Sequence, residues 1–161
     1  MKILFLSRIV KIKNLDYAIK IISKLKGEII FNIYGPREDR KYWGFCNNLI
    51  NELPQNIICR YQKIAKHDDL PEIFNKHHIL ILPSKGENYG NVIIESLING
   101  TPVIISDKTP FKDLIFKKIG ADIPLDNQNK FITILNDYLD MKNREYQDIS
   151  LKAHLFAKNI I

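Results

Sequence analysis

Two carboxylates, Glu87 and Glu95, stand eight residues apart in PSKGENYGNVIIESLINGTPVIISD, residues 83–107. Gly86 and Gly90 bracket Glu87, Asn88 and Tyr89, and a periodic apolar run starts at Asn91. A glycine-flanked turn that opens a helix leaves the first amides without intrahelical partners. The N–H groups of Gly90, Asn91 and Val92 are therefore expected to point into a crevice, where they could hold a phosphate without a Walker-type lysine. Glu87 ahead of that helix and Glu95 one turn inside it suit a ligand with hydroxyl groups at both ends of its phosphates, since a carboxylate accepts from two adjacent hydroxyls. A second charged set lies in SRIVKIKN, residues 7–14, where Arg8 ends a strand-like run and Lys13 immediately precedes a helical pattern. Two cations at a helix N-terminus add their charge to the free amides and the dipole, which makes an anion site; a solvated basic surface is the alternative reading of this loop alone.

The elements that must carry these groups follow an α/β alternation. Apolar, β-rich runs at residues 2–7, 29–34, 57–61, 79–82, 102–106 and 121–124 read as strands. ILFL, IIFNIY and ILIL are almost continuously apolar, as strands covered on both faces are. Between them, helical spacing joins Leu15, Ala18, Ile19, Ile22 and Leu25, then Phe45, Leu49, Ile50 and Leu53, then Val92, Ile93, Leu97 and Ile98; all three stripes are expected to be core faces. Gly27 after the first helix and Gly100 after the third are expected to be left-handed caps, and Pro54 to stop the second. Leu135, Leu139 and residues 146–161 predict two closing helices. The expected fold is a single doubly wound, Rossmann-like α/β domain with a parallel sheet of six strands, whose ligands bind at the carboxyl ends of the strands.

The 161 residues fit one domain. A composition 45% hydrophobic and 26% charged excludes a disordered or collagen-like chain. Cys46 and Cys59 form no C-x-x-C pair, so they read as cytosolic thiols. No apolar run reaches the roughly 18 residues of a membrane span, and a cytoplasmic protein is expected. The net charge of +6 is concentrated in the first 28 residues, which hold seven of the 24 basic side chains and two of the 18 acidic ones. No alternation of basic and aromatic residues suited to stacking bases accompanies it, so nucleic acid is not an expected partner.

Taken together, these segments resemble the retaining glycosyltransferases of family 4, in their donor-binding, C-terminal half of the GT-B fold. PSKGENYGNVIIESLINGTPVII is similar to that family's P-S-x-x-E-[GN]-[FY]-G pattern with its second Glu and G-x-P-V-I. SRIVKIKN resembles G-R-x-x-x-x-K-[GN], and IYGP, residues 33–36, resembles the loop after the second strand. SDKTPF and ADIPLD resemble a bacterial subgroup that makes surface polysaccharides. The resemblance implies that Arg8 and Lys13 hold the donor diphosphate and neutralise the leaving group. It implies that Glu87 contacts the sugar hydroxyls near the anomeric carbon, that the amides of Gly90, Asn91 and Val92 meet the distal phosphate, and that Glu95 grips the ribose. Gly35, Asn88 and Tyr89 join the implied donor site. The resemblance further implies a UDP- or GDP-type sugar donor, with its base expected near residues 62–66, and implies no metal or cofactor. His77 and His78 read as structural or exposed. Two departures are Ser7 in place of the usual glycine and Phe111 where the subgroup often has Trp.

Family members have two domains, so an N-terminal acceptor domain is expected to be missing from this chain and supplied by another segment or subunit. Tyr146, Ile149, Phe156 and Ile160 are then expected to be partly exposed. The complete enzyme would work in the cytoplasm, with peripheral contact at the inner membrane face. A nucleotide-sugar binding module without transfer activity is the alternative, and the sugar-nucleotide 2-epimerases, which share the architecture, resemble these segments less closely.

Overall fold

The computed structural model describes residues 1–161. Its strands β1 (Lys2–Leu6), β2 (Ile29–Tyr34), β3 (Ile57–Tyr61), β4 (Ile79–Leu82), β5 (Val103–Ser106) and β6 (Gly120–Ile123) form one sheet in the order β3-β2-β1-β4-β5-β6. Every pairing is parallel. All residues of β4 and β5 are buried, the condition the apolar runs ILIL and VII require. The chain order reverses between β1 and β4, and a crevice opens at the carboxyl ends of strands at such a switch point.

The helices are α1 (Leu15–Ile22), α2 (Arg40–Asn51), α3 (Leu70–Asn75), α4 (Asn91–Ile98), α5 (Leu114–Lys117), α6 (Gln128–Asp140) and α7 (Asn143–Ile160). In α1 the expected stripe Leu15, Ala18, Ile19 and Ile22 is buried, with Leu25 beyond it. In α4, Ile93 and Leu97 are buried while Val92 and Ile98 are half-buried. The second stripe holds at Leu49, Ile50 and, just beyond α2, Leu53, which are half-buried against the core, and needs correction at Phe45. Phe45 is 49% exposed, and Lys20 lies over its ring at 5.6 Å. The buried face of α2 is Tyr42 and Cys46, and the Tyr42 hydroxyl donates to Asp16 Oδ1 at 2.6 Å, fastening α2 to α1.

Gly27 is also corrected. It is absent from the positive-φ residues, and α1 ends earlier, at Ile22. A Cβ there would lie 2.8 Å from Leu139 Cδ2, so the glycine leaves space for that methyl group of α6. Gly100 does cap α4 with φ of 73°. Helices α3 and α5 have no counterpart in the sequence reading. Behind α3, His77 is buried and its Nδ1 lies 2.6 Å from the Ile73 carbonyl. Its Nε2 lies 2.8 Å from Asn32 Nδ2 on β2. A ring protonated at Nδ1 satisfies both, donating to Ile73 and accepting from Asn32. His78 is exposed, and on α7 Tyr146, Ile149 and Phe156 are half-buried while Ile160 is exposed, as expected.

Candidate functional site

The site grows from two loops at the switch point. Beyond β1, the Ser7 amide donates to the Tyr34 carbonyl at 3.1 Å and the Ile9 amide to Pro36 at 2.9 Å, so the backbone beside Arg8 is held on both sides. Strand β1 ends at Leu6, two residues earlier than Arg8. The chain then makes a 3-10 turn over Lys11–Lys13, and Asn14 enters α1 with φ of 63° and ψ of 39°. Few side chains other than glycine and asparagine tolerate that left-handed conformation. Asn14 is buried, and its Nδ2 donates to the Pro83 carbonyl at 2.9 Å.

The loop after β4 is bound to the first. The Lys85 amide donates to the Ile12 carbonyl at 2.8 Å, while the Glu87 amide donates to Lys108 in the loop after β5 at 3.1 Å. Gly90 precedes α4 with φ of 67°, and a Cβ there would come within 3.0 Å of the Phe111 ring. Phe111 thus sits under the turn as a packing wall. The amides of Ile93 and Ile94 donate to the Gly90 carbonyl at 2.8 and 3.2 Å. Those of Asn91 and Val92 precede these first helical bonds, which leaves them available to an anion.

Arg8, Lys13, Glu87, Asn88, Tyr89, Gly90, Asn91 and Val92 converge on one cleft of about 470 Å³, whose wall Leu6, Ser7, Ile12 and Gly86 complete. Two expected site residues lie outside this wall. Gly35 has φ of 141°, and a Cβ on it would stand 1.8 Å from the Ser7 carbonyl oxygen, so its glycine is required by the β1–β2 loop contact. Glu95 is half-buried further along α4. Burial pushes its carboxyl above the ordinary range, and the charge of His67, from the segment after β3, pulls it back down.

Both cations of the cleft are paired with carboxylates. Lys13 Nζ and Glu87 Oε1 form an ion pair whose side chains are only 13% and 11% exposed. Arg8 Nη1 meets Glu38 Oε2 at 3.2 Å, with side chains 57% and 45% exposed. Tyr89 stands at the mouth, 80% exposed. No cluster of three or more His, Cys, Asp or Glu side chains is placed to hold a metal. Sequence reasoning missed Ile12, Asn14 and Glu38. Asn14 was legible in the last position of the K-[GN] pattern, whereas nothing local marks Glu38, which meets Arg8 only through the β1–β2 pairing.

Residues 1–153 match the family described as glycosyl transferases group 1. The chain is 24% identical over 156 residues to the UDP-N-acetylglucosamine--peptide N-acetylglucosaminyltransferase GtfA subunit of Streptococcus pneumoniae, covering 94% of this chain and 27% of that protein. It is 24% identical over 138 residues to an uncharacterised 41.2 kDa protein in the cps region of Klebsiella pneumoniae, covering 84% of this chain and 36% of the relative. The crystal structure of the pneumococcal O-GlcNAc transferase GtfA in complex with UDP and GlcNAc is similar with a TM-score of 0.74 and 20% identity, over 98% of this chain and 32% of that one. The chain thus spans between 27% and 36% of the length of these curated relatives.

Proposed function

Because the chain belongs to the glycosyl transferases group 1 family, we propose that it is the donor-binding lobe of a retaining glycosyltransferase, holding a nucleoside-diphosphate sugar of the UDP or GDP type. The observation that carries this reading is the convergence of Arg8, Lys13, Glu87 and the N-terminus of α4 in one cleft at the switch between β1 and β4. In the proposed site the free amides of α4 take the distal phosphate, and Arg8 and Lys13 take the diphosphate. Glu87 meets the sugar hydroxyls. Glu95, outside the cleft wall on the side of His67, meets the ribose, and the base lies toward residues 62–66.

As the glycosidic bond breaks, negative charge grows on the departing phosphate. Preorganised cations and helix amides gain strength with that charge, which lowers the barrier more than it tightens the ground state. Each hydrogen bond to a charged group is worth about 1.5–3 kcal/mol. Arg8, Lys13 and the helix dipole supply the positive charge without a metal. The acceptor is proposed to bind a second lobe, and polysaccharide or glycolipid is the product class we propose. No helix of the chain is long and apolar enough to cross a membrane; we propose work in the cytoplasm, with peripheral contact at the inner membrane face.

Calorimetric titration of the 161-residue chain with UDP, GDP, ADP and their sugars tests the reading. One diphosphate should bind, and Arg8→Ala or Lys13→Ala should weaken it by about tenfold, the equivalent of one charged hydrogen bond. Absence of binding by every nucleotide overturns the assignment.

A further inference from the structure

Glu38 is the one carboxylate paired with a cleft cation that does not itself line the cleft. Its place is built into the backbone. Upstream, Pro36 accepts from the Ile9 amide at 2.9 Å; downstream, the Asp39 amide donates to the Ile9 carbonyl at 3.3 Å. Asp39 is itself fixed, since its Oδ1 caps α2 by accepting from the Tyr42 amide at 2.9 Å. The residues on both sides of Glu38 are therefore bonded to the residue that follows Arg8, and the carboxylate is delivered to the guanidinium by the fold.

We propose that Glu38 is an internal competitor of phosphate for Arg8, setting how tightly the cleft holds a diphosphate ligand. The proposal rests on the diphosphate reading of the cleft. The carboxylate opposes the ligand in two ways: it occupies donors of the guanidinium, and it repels the incoming negative charge. Both effects are modest because the pair is exposed, which makes it yielding enough to be displaced. The pairing of Lys13 with Glu87 is different, since it is enclosed and both partners face the ligand. Glu38 acts through Arg8 and is a positioning residue.

The test titrates UDP and GDP into the wild-type chain, Glu38→Gln, Arg8→Gln and the double variant, at low and high salt. Glu38→Gln should bind the preferred nucleotide about three- to tenfold more tightly at low salt, and the gain should shrink as salt screens the exposed charges. In the Arg8→Gln background the same change should gain less than about twofold, because the two side chains act as a coupled pair. A merely structural Glu38 would show neither the salt dependence nor the coupling. Glu38→Ser, which removes the carboxylate without an amide replacing it, should reproduce the gain. Unchanged or weaker binding by Glu38→Gln, with wild type binding normally, overturns the proposal and leaves the donor-site reading standing. Absence of nucleotide binding by all four proteins overturns that reading and this proposal with it.

Discussion

Asn14 combines a backbone conformation that disfavours most residues with a buried side-chain bond between the two loops of the cleft. The two contributions separate by substitution. Asn14→Gly keeps the left-handed backbone and loses the bond to Pro83, so it should cost about 1 kcal/mol. Asn14→Ala adds the strain of the left-handed region, and its total should be about 2–3 kcal/mol. Equal losses in denaturant unfolding would show that the conformation is not the constraint. Glu87 and Lys13 offer a second separation, since they are 74 residues apart in sequence yet paired. Neutralising the carboxylate by Glu87→Gln releases Lys13 to a phosphate. Affinity for the bare nucleoside diphosphate should therefore hold or rise, while any extra affinity for the sugar nucleotide falls. A parallel loss for both ligands would remove Glu87 from the sugar side. The residue types of the site were legible because each is demanded by local chemistry; their pairing was not, since it is made by the sheet.

At the scale of elements, the strands were readable because burial on both faces makes them continuously apolar, a signal contained within each run. Helix α3 escaped notice for the converse reason. It has six residues and Pro71 in its first turn, and its core-facing set, Leu70, Ile73 and Phe74, spans a little over one turn, too short for a periodicity to declare itself. Phe45 misled because a spacing of four with Leu49 places two residues on one side of a helix without saying whether that side meets the core. Gly27 is explained by Leu139, 112 residues later, which no local pattern can announce. Gly35 shows how such a contact governs the site. Its α-carbon is pressed on the Ser7 carbonyl, and an added Cβ would force apart the loops that hold Arg8. Gly35→Ala should lose on the order of 3 kcal/mol, lowering the melting temperature by roughly 6–12 °C. Diphosphate affinity should fall with it. A melt indistinguishable from wild type would remove this account of the close approach.

For the whole molecule, three of the seven basic side chains in the first 28 residues, where the +6 charge is concentrated, stand in ion pairs. Lys13 and Arg8 meet carboxylates at the cleft, and Lys20 meets Asp16 at 3.3 Å. The pH dependence of stability is set instead by groups kept neutral inside. Burial depresses His77 below its ordinary 6.5, with Lys2, His78 and Lys76 adding to the shift and the bond to Ile73 opposing it. His78, an exposed residue whose ring leans on Tyr146, is depressed in the same direction by partial desolvation and the charge of the N-terminus. The unfolded chain then takes up protons near pH 6.5 that the folded chain refuses, so stability is full above that pH and declines as pH falls through the depressed values. On the alkaline side the sign reverses. Burial raises the Cys59 thiol from 9.0 to about 12 and the Tyr146 phenol from 10.0 to about 12. Tyr42 and Tyr138 are raised in the same direction, chiefly by burial. The unfolded chain releases these protons first, and stability present below pH 9 is lost as pH rises through the folded values. Thermal melts should therefore show a plateau between about pH 6.5 and 9 with a decline on each side. His77→Gln should lower the plateau but flatten the acid limb, because it cannot take up the proton. An acid limb of unchanged slope in that variant would mean that His77 does not govern it.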